Sequence, residues 1–117
     1  MKDFVLRNAT SGTVLATRVN RATNPWTRGV GLLSRKAVAP DEGLWIAHCN
    51  AVHTVGMRAT IDLLFLDKAD RVVKIASAVK PNVLAVSCRG AATVVELGTA
   101  SGAARDVAVG DRLALDQ

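Results

Sequence analysis

The sequence contains no tyrosine, and its only aromatic residues are two phenylalanines and two tryptophans. Surfaces that bind single-stranded nucleic acids normally carry several aromatic side chains on which bases stack. The sequence also lacks an apolar run of the roughly 18 residues that a membrane span needs, and its start, MKDFVLRN, lacks the apolar segment of a signal peptide. These absences disfavour nucleic-acid binding and exclude a membrane span. They predict a cytoplasmic protein, with an exported mature form that has lost its leader as the alternative.

Cysteine and histidine are equally scarce. Cys49 and Cys88 are too few for a disulfide framework, and with His48 and His53 they are all the thiols and imidazoles that a structural zinc site could use. Their spacing contains neither a C-x-x-C pair nor two histidines one helical turn apart. Neither cysteine lies in a G-x-C-x-G-type turn that would present a nucleophile. We therefore expect no metal, no cofactor and two reduced thiols that take no part in chemistry.

The chain of 117 residues has the length of one domain, which we assign to residues 1–117. Half of the residues are apolar, which is enough for a core. The net charge of +5 is uneven, because residues 1–36 contain seven bases and one acid. A solvated basic surface is the simpler interpretation. Nucleic-acid binding would require one face formed by Arg18, Arg21, Arg28, Arg35 and Lys36, together with strong salt dependence.

Short apolar segments separated by turn residues predict a mostly β fold. The predicted strands are FVLR (4–7), TVLATRV (13–19), LWIAHC (44–49), IDLLFLD (61–67), RVVKIASAV (71–79), ATVVEL (92–97) and the end of VGDRLAL (109–115). IDLLFLD is apolar on both faces and is therefore expected inside a sheet. One short helix is expected around 25–34, and a helical turn within 98–107. The pattern is typical of a compact single-domain barrel or sandwich of about seven short strands with one or two short helices.

The stretch HTVGMRATIDLLFLD, residues 53–67, concentrates polar side chains in front of an apolar strand. A carboxylate in such a strand requires donors close by, and Arg58 lies four residues before Asp62. We predict a polar site formed by His53, Arg58 and Asp62, with Glu96 as a further member. In one interpretation Asp62 accepts backbone N–H bonds, pairs with Arg58 and only holds the loop. In the other, the same side chains bind a ligand, and Arg58 contacts an anionic group.

Four segments in this order resemble the DUF192 family of small bacterial and archaeal domains. They are TRGVGLLSR (27–35), HTVGMRATIDLLFLD (53–67), VVELGTASG (94–102) and VGDRLAL (109–115). The resemblance runs from about residue 13 to residue 115, and its most specific part is the central segment. The family usually has an aromatic residue in place of Val55 and a proline in place of Thr60. It implies a compact β-rich fold and brings no established reaction, so it transfers no catalytic residue.

Two functions of different classes remain open. The first is a module that binds an unknown small ligand or protein partner through residues 53–62, as a monomer or weak dimer. The second is a small enzyme in which His53 and Asp62 perform acid–base chemistry while Arg58 holds an anionic substrate. The enzyme requires His53 and Asp62 within hydrogen-bond reach in a partly open site.

Overall fold

The computed structural model describes residues 3–22, 39–54, 58–83 and 85–117. The strands in these ranges are β1 (Phe4–Asn8), β2 (Val14–Ala22), β3 (Glu42–Ala47), β4 (Ala51–Val52), β5 (Ile61–Leu66), β6 (Val72–Val79), β7 (Val86–Ser87), β8 (Thr93–Gly98) and β9 (Leu113–Asp116). Two short 3-10 segments, η1 (Thr99–Ser101) and η2 (Ala103–Asp106), follow β8. No helix within the described ranges is long and apolar enough to cross a membrane. The helix predicted around 25–34 lies outside the described residues.

Seven strands form one sheet in the order β6-β5-β8-β3-β2-β1-β9. All neighbours are antiparallel except β2 and β3, which are parallel. The first two strands form a hairpin, because Asn8 accepts bonds from the N–H groups of Thr10 and Ser11 and thereby closes the turn. The strands β4 and β7 pair with each other as a separate two-stranded ribbon.

The two edges of the sheet approach each other at one end. An isolated antiparallel bridge joins Arg71, just before β6, to Arg112, just before β9. Next to it, the N–H of Val72 donates to the carbonyl of Asp111, and the N–H of Leu113 donates to the carbonyl of Asp70. The sheet is therefore curled, but no closed barrel is formed by the residues described. The mostly β prediction is confirmed, whereas the barrel or sandwich is not.

Apolar side chains cover both faces of this sheet. Because side chains alternate along a strand, the apolar run of β5 supplies Leu64 and Leu66 to one core and Ile61, Leu63 and Phe65 to another. We call these the first face and the second face. The whole of β5 is buried, and it lies between β6 and β8, as its two-sided apolar pattern predicts.

The predicted strands lie close to those observed, with one informative difference. LWIAHC is predicted to continue as a strand to Cys49, but β3 ends at Ala47. The reason is that His48 adopts the left-handed conformation, with a φ of 54°, which turns the chain out of the extended path. The chain then enters β4 through Cys49, whose N–H donates to the carbonyl of Ala92.

Candidate functional site

Asp62 is the second residue of β5 and is only 4% exposed. It lies on the first face, since it alternates with Leu63 and is paired with Leu97 of β8. Its Oδ1 accepts two hydrogen bonds, one from the N–H of Ala78 at 2.7 Å and one from the hydroxyl of Thr99 at 2.8 Å. Two donors from separate elements therefore fix the orientation of this carboxylate.

A β-bulge in β6 supplies the backbone donor. Ile61 is paired with Val79 and Leu63 with Ala76, so two residues of β6 lie opposite Asp62. One of them, Ala78, has a φ of 54°, which is uncommon for a residue other than glycine. The bulge interrupts the regular ladder at the position where the Ala78 N–H reaches the Asp62 carboxylate.

The Asp62 side chain lies in the wall of a cavity of about 280 Å³. The cavity is lined by Asp62, Ser77, Ala78, Thr99, Gly102, Ala104 and Arg105. The segments η1 and η2 complete its wall because Gly102, with a φ of 70°, turns the chain between them. Within the described residues, the second carboxylate oxygen, Oδ2, has no hydrogen-bond donor. We call this space the Asp62 cavity.

Glu96 occupies the opposite face. It is paired with Leu44 of β3 and Leu63 of β5, both in the second-face core, and it is only 6% exposed. No hydrogen bond or ion pair joins its carboxyl to another residue in the described part of the chain. Burial raises the pKa of Glu96 to about 7, because an apolar environment disfavours the charged form.

Asn20 carries a second polar group without a partner in the described ranges, and no pattern in the sequence predicts it. Register places it in the same row as Glu96, because Asn20 is paired with Leu44 and Leu44 with Glu96. Its Oδ1 is buried and accepts no hydrogen bond from any residue that the structure describes. The two strand spacings between Asn20 and Glu96 amount to roughly 10 Å. An asparagine in the polar strand VLATRVNRA gives no sequence signal that it will be buried.

His53 and Arg58 are both exposed. Among the described residues, neither forms a hydrogen bond or ion pair with Asp62. The neighbouring Thr54 instead fixes this segment: its hydroxyl donates to the carbonyl of Lys80 and accepts from the N–H of Val83. The interpretation in which Asp62 only holds the loop expects it to accept a backbone N–H bond and to pair with Arg58. The backbone bond is present, with Ala78 as its donor. In the part of the chain that the structure describes, Asp62 and Arg58 form no bond with each other.

The four predicted site residues are therefore not brought together in one site. Asp62 and Glu96 lie on opposite faces of the sheet, and His53 and Arg58 lie on the surface before β5. Thr99 and Arg105, which lie at the Asp62 cavity, were not among the predicted residues. The sequence gives only a weak indication that these two residues belong to a site. GTASGAARD is composed mainly of small residues typical of a flexible loop, and the one indication is that it directly follows the buried strand β8.

The thiols lie away from the Asp62 cavity. Cys49 and Cys88 are partly buried against the second-face core, and their Sγ atoms contact backbone carbonyls of Ala51 and Arg89. Within the described residues, no group of three or more histidine, cysteine, aspartate or glutamate side chains could hold a metal ion.

Three solved structures are similar to this fold. A protein of Sinorhizobium meliloti 1021, provisionally named as a transcription regulator, is 26% identical with a TM-score of 0.79, and the match covers 96% of this chain and 91% of that one. A protein of unknown function from Novosphingobium aromaticivorans is 21% identical with a TM-score of 0.80, over 95% and 83%. A Burkholderia pseudomallei protein, provisionally named as exported, is 19% identical with a TM-score of 0.54, over 97% of this chain and 24% of that one.

Sequence comparison with curated proteins gives no match. The family model of DUF192, described as an uncharacterized ACR, matches residues 6–115. This match includes all nine strands of the described ranges apart from the first two residues of β1 and the last residue of β9. The chain therefore belongs to the DUF192 family.

Proposed function

We propose that this domain binds a small polar ligand in the Asp62 cavity. The proposal rests on the carboxylate of Asp62, because only one of its two oxygens is hydrogen-bonded within the described residues. Its Oδ1 is held by two donors, whereas its Oδ2 has none in the described part of the chain, and Asp62 lines a cavity. A buried acceptor held in place by its neighbours is arranged to receive a donor from outside the protein.

The polar groups around Asp62 support this proposal. Ser77 and Thr99 are hydroxyl-bearing residues in the lining of the cavity, and the lining residues Ala78, Gly102 and Ala104 are small. A volume of about 280 Å³ is close to the lower end of the range for ligand pockets, roughly 300 Å³. The ligand is therefore small, and it donates at least one hydrogen bond to the Oδ2 of Asp62.

Binding is favoured over catalysis by the position of His53. The enzyme hypothesis requires a hydrogen bond between His53 and Asp62, and no such bond is found in the ranges described. His53 and Arg58 are exposed, so we retain them as candidate contacts for a protein partner or for the outer part of a ligand.

The name of the Sinorhizobium meliloti protein suggests nucleic-acid binding as a different function. That hypothesis needs the bases of residues 18–36 on one face. Arg18 and Arg21 are three residues apart in β2 and so point to opposite faces, and Arg18 is ion-paired with Asp41 at 2.6 Å. We therefore do not extend the transcription-regulator name to this chain.

The proposal is tested with Asp62→Asn. The asparagine Oδ1 can still accept the bonds from Ala78 and Thr99, while its Nδ2 replaces an acceptor with a donor in the cavity. Asp116→Asn is the matched control, because it removes one carboxylate at an exposed site. A library of small polar metabolites would be screened by amide chemical shifts of the wild type and both variants.

We expect at least one compound to shift the amides of residues 77–78 and 99–105 in the wild type and in Asp116→Asn. The same compound should bind Asp62→Asn at least tenfold more weakly, which corresponds to about 1.4 kcal/mol. The proposal is wrong if no compound shifts these amides, or if every compound that does so binds Asp62→Asn equally well.

A further inference from the structure

We infer that the ligand of the Asp62 cavity is a zwitterion of the α-amino acid class, with its ammonium group on Asp62 and its carboxylate on Arg105. This inference rests on the proposed function and adds the chemistry of the ligand. It is carried by one acidic and one basic side chain that line the same cavity and are not bonded to each other.

Asp62 and Thr99 provide hydrogen-bond acceptors at the cavity. Thr99 donates its hydroxyl hydrogen to the Oδ1 of Asp62, which leaves the Thr99 oxygen free to accept. The Oδ2 of Asp62 is an acceptor without a donor in the described ranges, and Ser77 is a hydroxyl-bearing residue in the lining of the same cavity. An ammonium group has three N–H donors and no acceptor. An anionic oxygen close to a hydroxyl oxygen that can still accept therefore matches an ammonium group better than a neutral hydroxyl.

The cation at the cavity is Arg105, in η2. Arg105 is exposed, and its guanidinium group forms no ion pair or hydrogen bond with any residue in the described ranges, while its backbone N–H donates to the carbonyl of Gly102. A guanidinium group presents parallel donors that fit a carboxylate with two hydrogen bonds. Arg105 is held near the cavity because η2 packs against β2 through buried Ala103. The ligand carboxylate would therefore lie at the outer end, next to solvent.

The two charges together select the ligand by repulsion as well as attraction. A simple anion that approaches Arg105 is repelled by Asp62, and a simple cation that approaches Asp62 is repelled by Arg105. A ligand with both charges a few ångströms apart meets complementary charge at each end. The small side chains of Ala78, Gly102 and Ala104 leave room for the charged groups, and the open side of the cavity leaves room for a side chain.

The test uses three kinds of probe against the full chain. The first are the common L-amino acids, the second the primary amines that lack their carboxylates, and the third the carboxylic acids that lack their amino groups. Amide chemical shifts report where each probe binds, and titrations give its dissociation constant. The variants are Asp62→Asn, Arg105→Gln and the control Arg89→Gln, which removes an exposed cation that does not line the cavity.

We expect at least one amino acid to bind at the cavity, at least tenfold more tightly than its amine or its acid. Arg105→Gln should remove the preference for the amino acid over the amine, and Asp62→Asn the preference over the acid. Arg89→Gln should leave both preferences unchanged. Since Arg105 is exposed, its variant is expected to fold, which its melting temperature verifies.

Three outcomes overturn the inference. The first is an amine or acid that binds as tightly as the matching amino acid, and the second is an amino-acid preference that survives in Arg105→Gln. The third is that no amino acid binds while another polar compound shifts the amides of the cavity, in which case the proposed function stands and only the zwitterion is wrong. If nothing shifts these amides, both proposals fail.

Discussion

Replacing Glu96 by glutamine is predicted to stabilise the protein at alkaline pH and to flatten the pH dependence of its stability. The Glu96 carboxyl lies in the second-face core between Leu44 and Leu63, is 6% exposed, and has no partner in the described part of the chain. Glutamine has almost the same shape and cannot ionise. The substitution therefore removes the buried charge with little change in packing.

The sign follows from the two pKa values of this carboxyl. Its ordinary value is 4.5, and burial raises it to about 7 in the folded protein. Because the folded state holds the proton more tightly, this group contributes stability that is fully present below about pH 4.5 and is lost as the pH rises through about 7. At roughly 1.4 kcal/mol per pH unit, the interval between these values amounts to about 3 kcal/mol.

The measurement is the free energy of unfolding in urea at a series of pH values from 5 to 8.5. Glu96→Gln should exceed the wild type by about 3 kcal/mol at pH 8.5, and the difference should shrink steadily toward pH 5. The control, Asp116→Asn, removes an exposed carboxylate and should show no comparable trend. A constant difference between Glu96→Gln and the wild type over this range, or a less stable variant at pH 8.5, would refute the reasoning.

Three further predictions concern stability and are measured by urea unfolding. Asp62→Ala should cost about 1–3 kcal/mol, because it leaves a partly buried N–H and a partly buried hydroxyl without their acceptor; unchanged stability would contradict this. Thr54→Val should also cost about 1–3 kcal/mol and speed amide exchange within residues 80–83, where its hydroxyl bonds two backbone groups; unchanged exchange would show that the turn is held otherwise. Gly43→Ala should cost about 1–3 kcal/mol, since the new Cβ would lie 2.8 Å from the Leu97 Cδ2 and 3.0 Å from the backbone oxygen of Glu96, and a neutral result would mean that both neighbours move without cost.

The sequence predicts the strands well because their signals are local. IDLLFLD and ATVVEL are predicted within a residue or so of β5 and β8, since a short apolar run bounded by turn residues has few alternatives. The parallel pairing of β2 and β3 could not be predicted in this way. It depends on the path of the chain between these strands, and alternation within a strand carries no information about its neighbours.

The candidate site was harder to predict because it depends on register. Asp62 and Glu96 look like members of one polar group when only their strands are known. Pairing of Asp62 with Leu97, and of Leu63 with Glu96, sends the two carboxylates to opposite faces. The Ala78 donor depends on a bulge, and RVVKIASAV contains no glycine that would mark one.

The different environments of the two carboxyls explain why the ligand proposal concerns Asp62 and the pH prediction concerns Glu96. Recognition of a ligand requires an acceptor that is both oriented and reachable. Asp62 meets both conditions, because two donors fix its Oδ1 and its side chain lines the cavity. Glu96 has no donor in the described ranges that would fix its orientation or stabilise its charge. Burial therefore raises the pKa of its carboxyl group. A shift of one residue in register between β5 and β8 would place both carboxyls on the same face of the sheet, so the observed pairing of these two strands is what gives the two groups different environments.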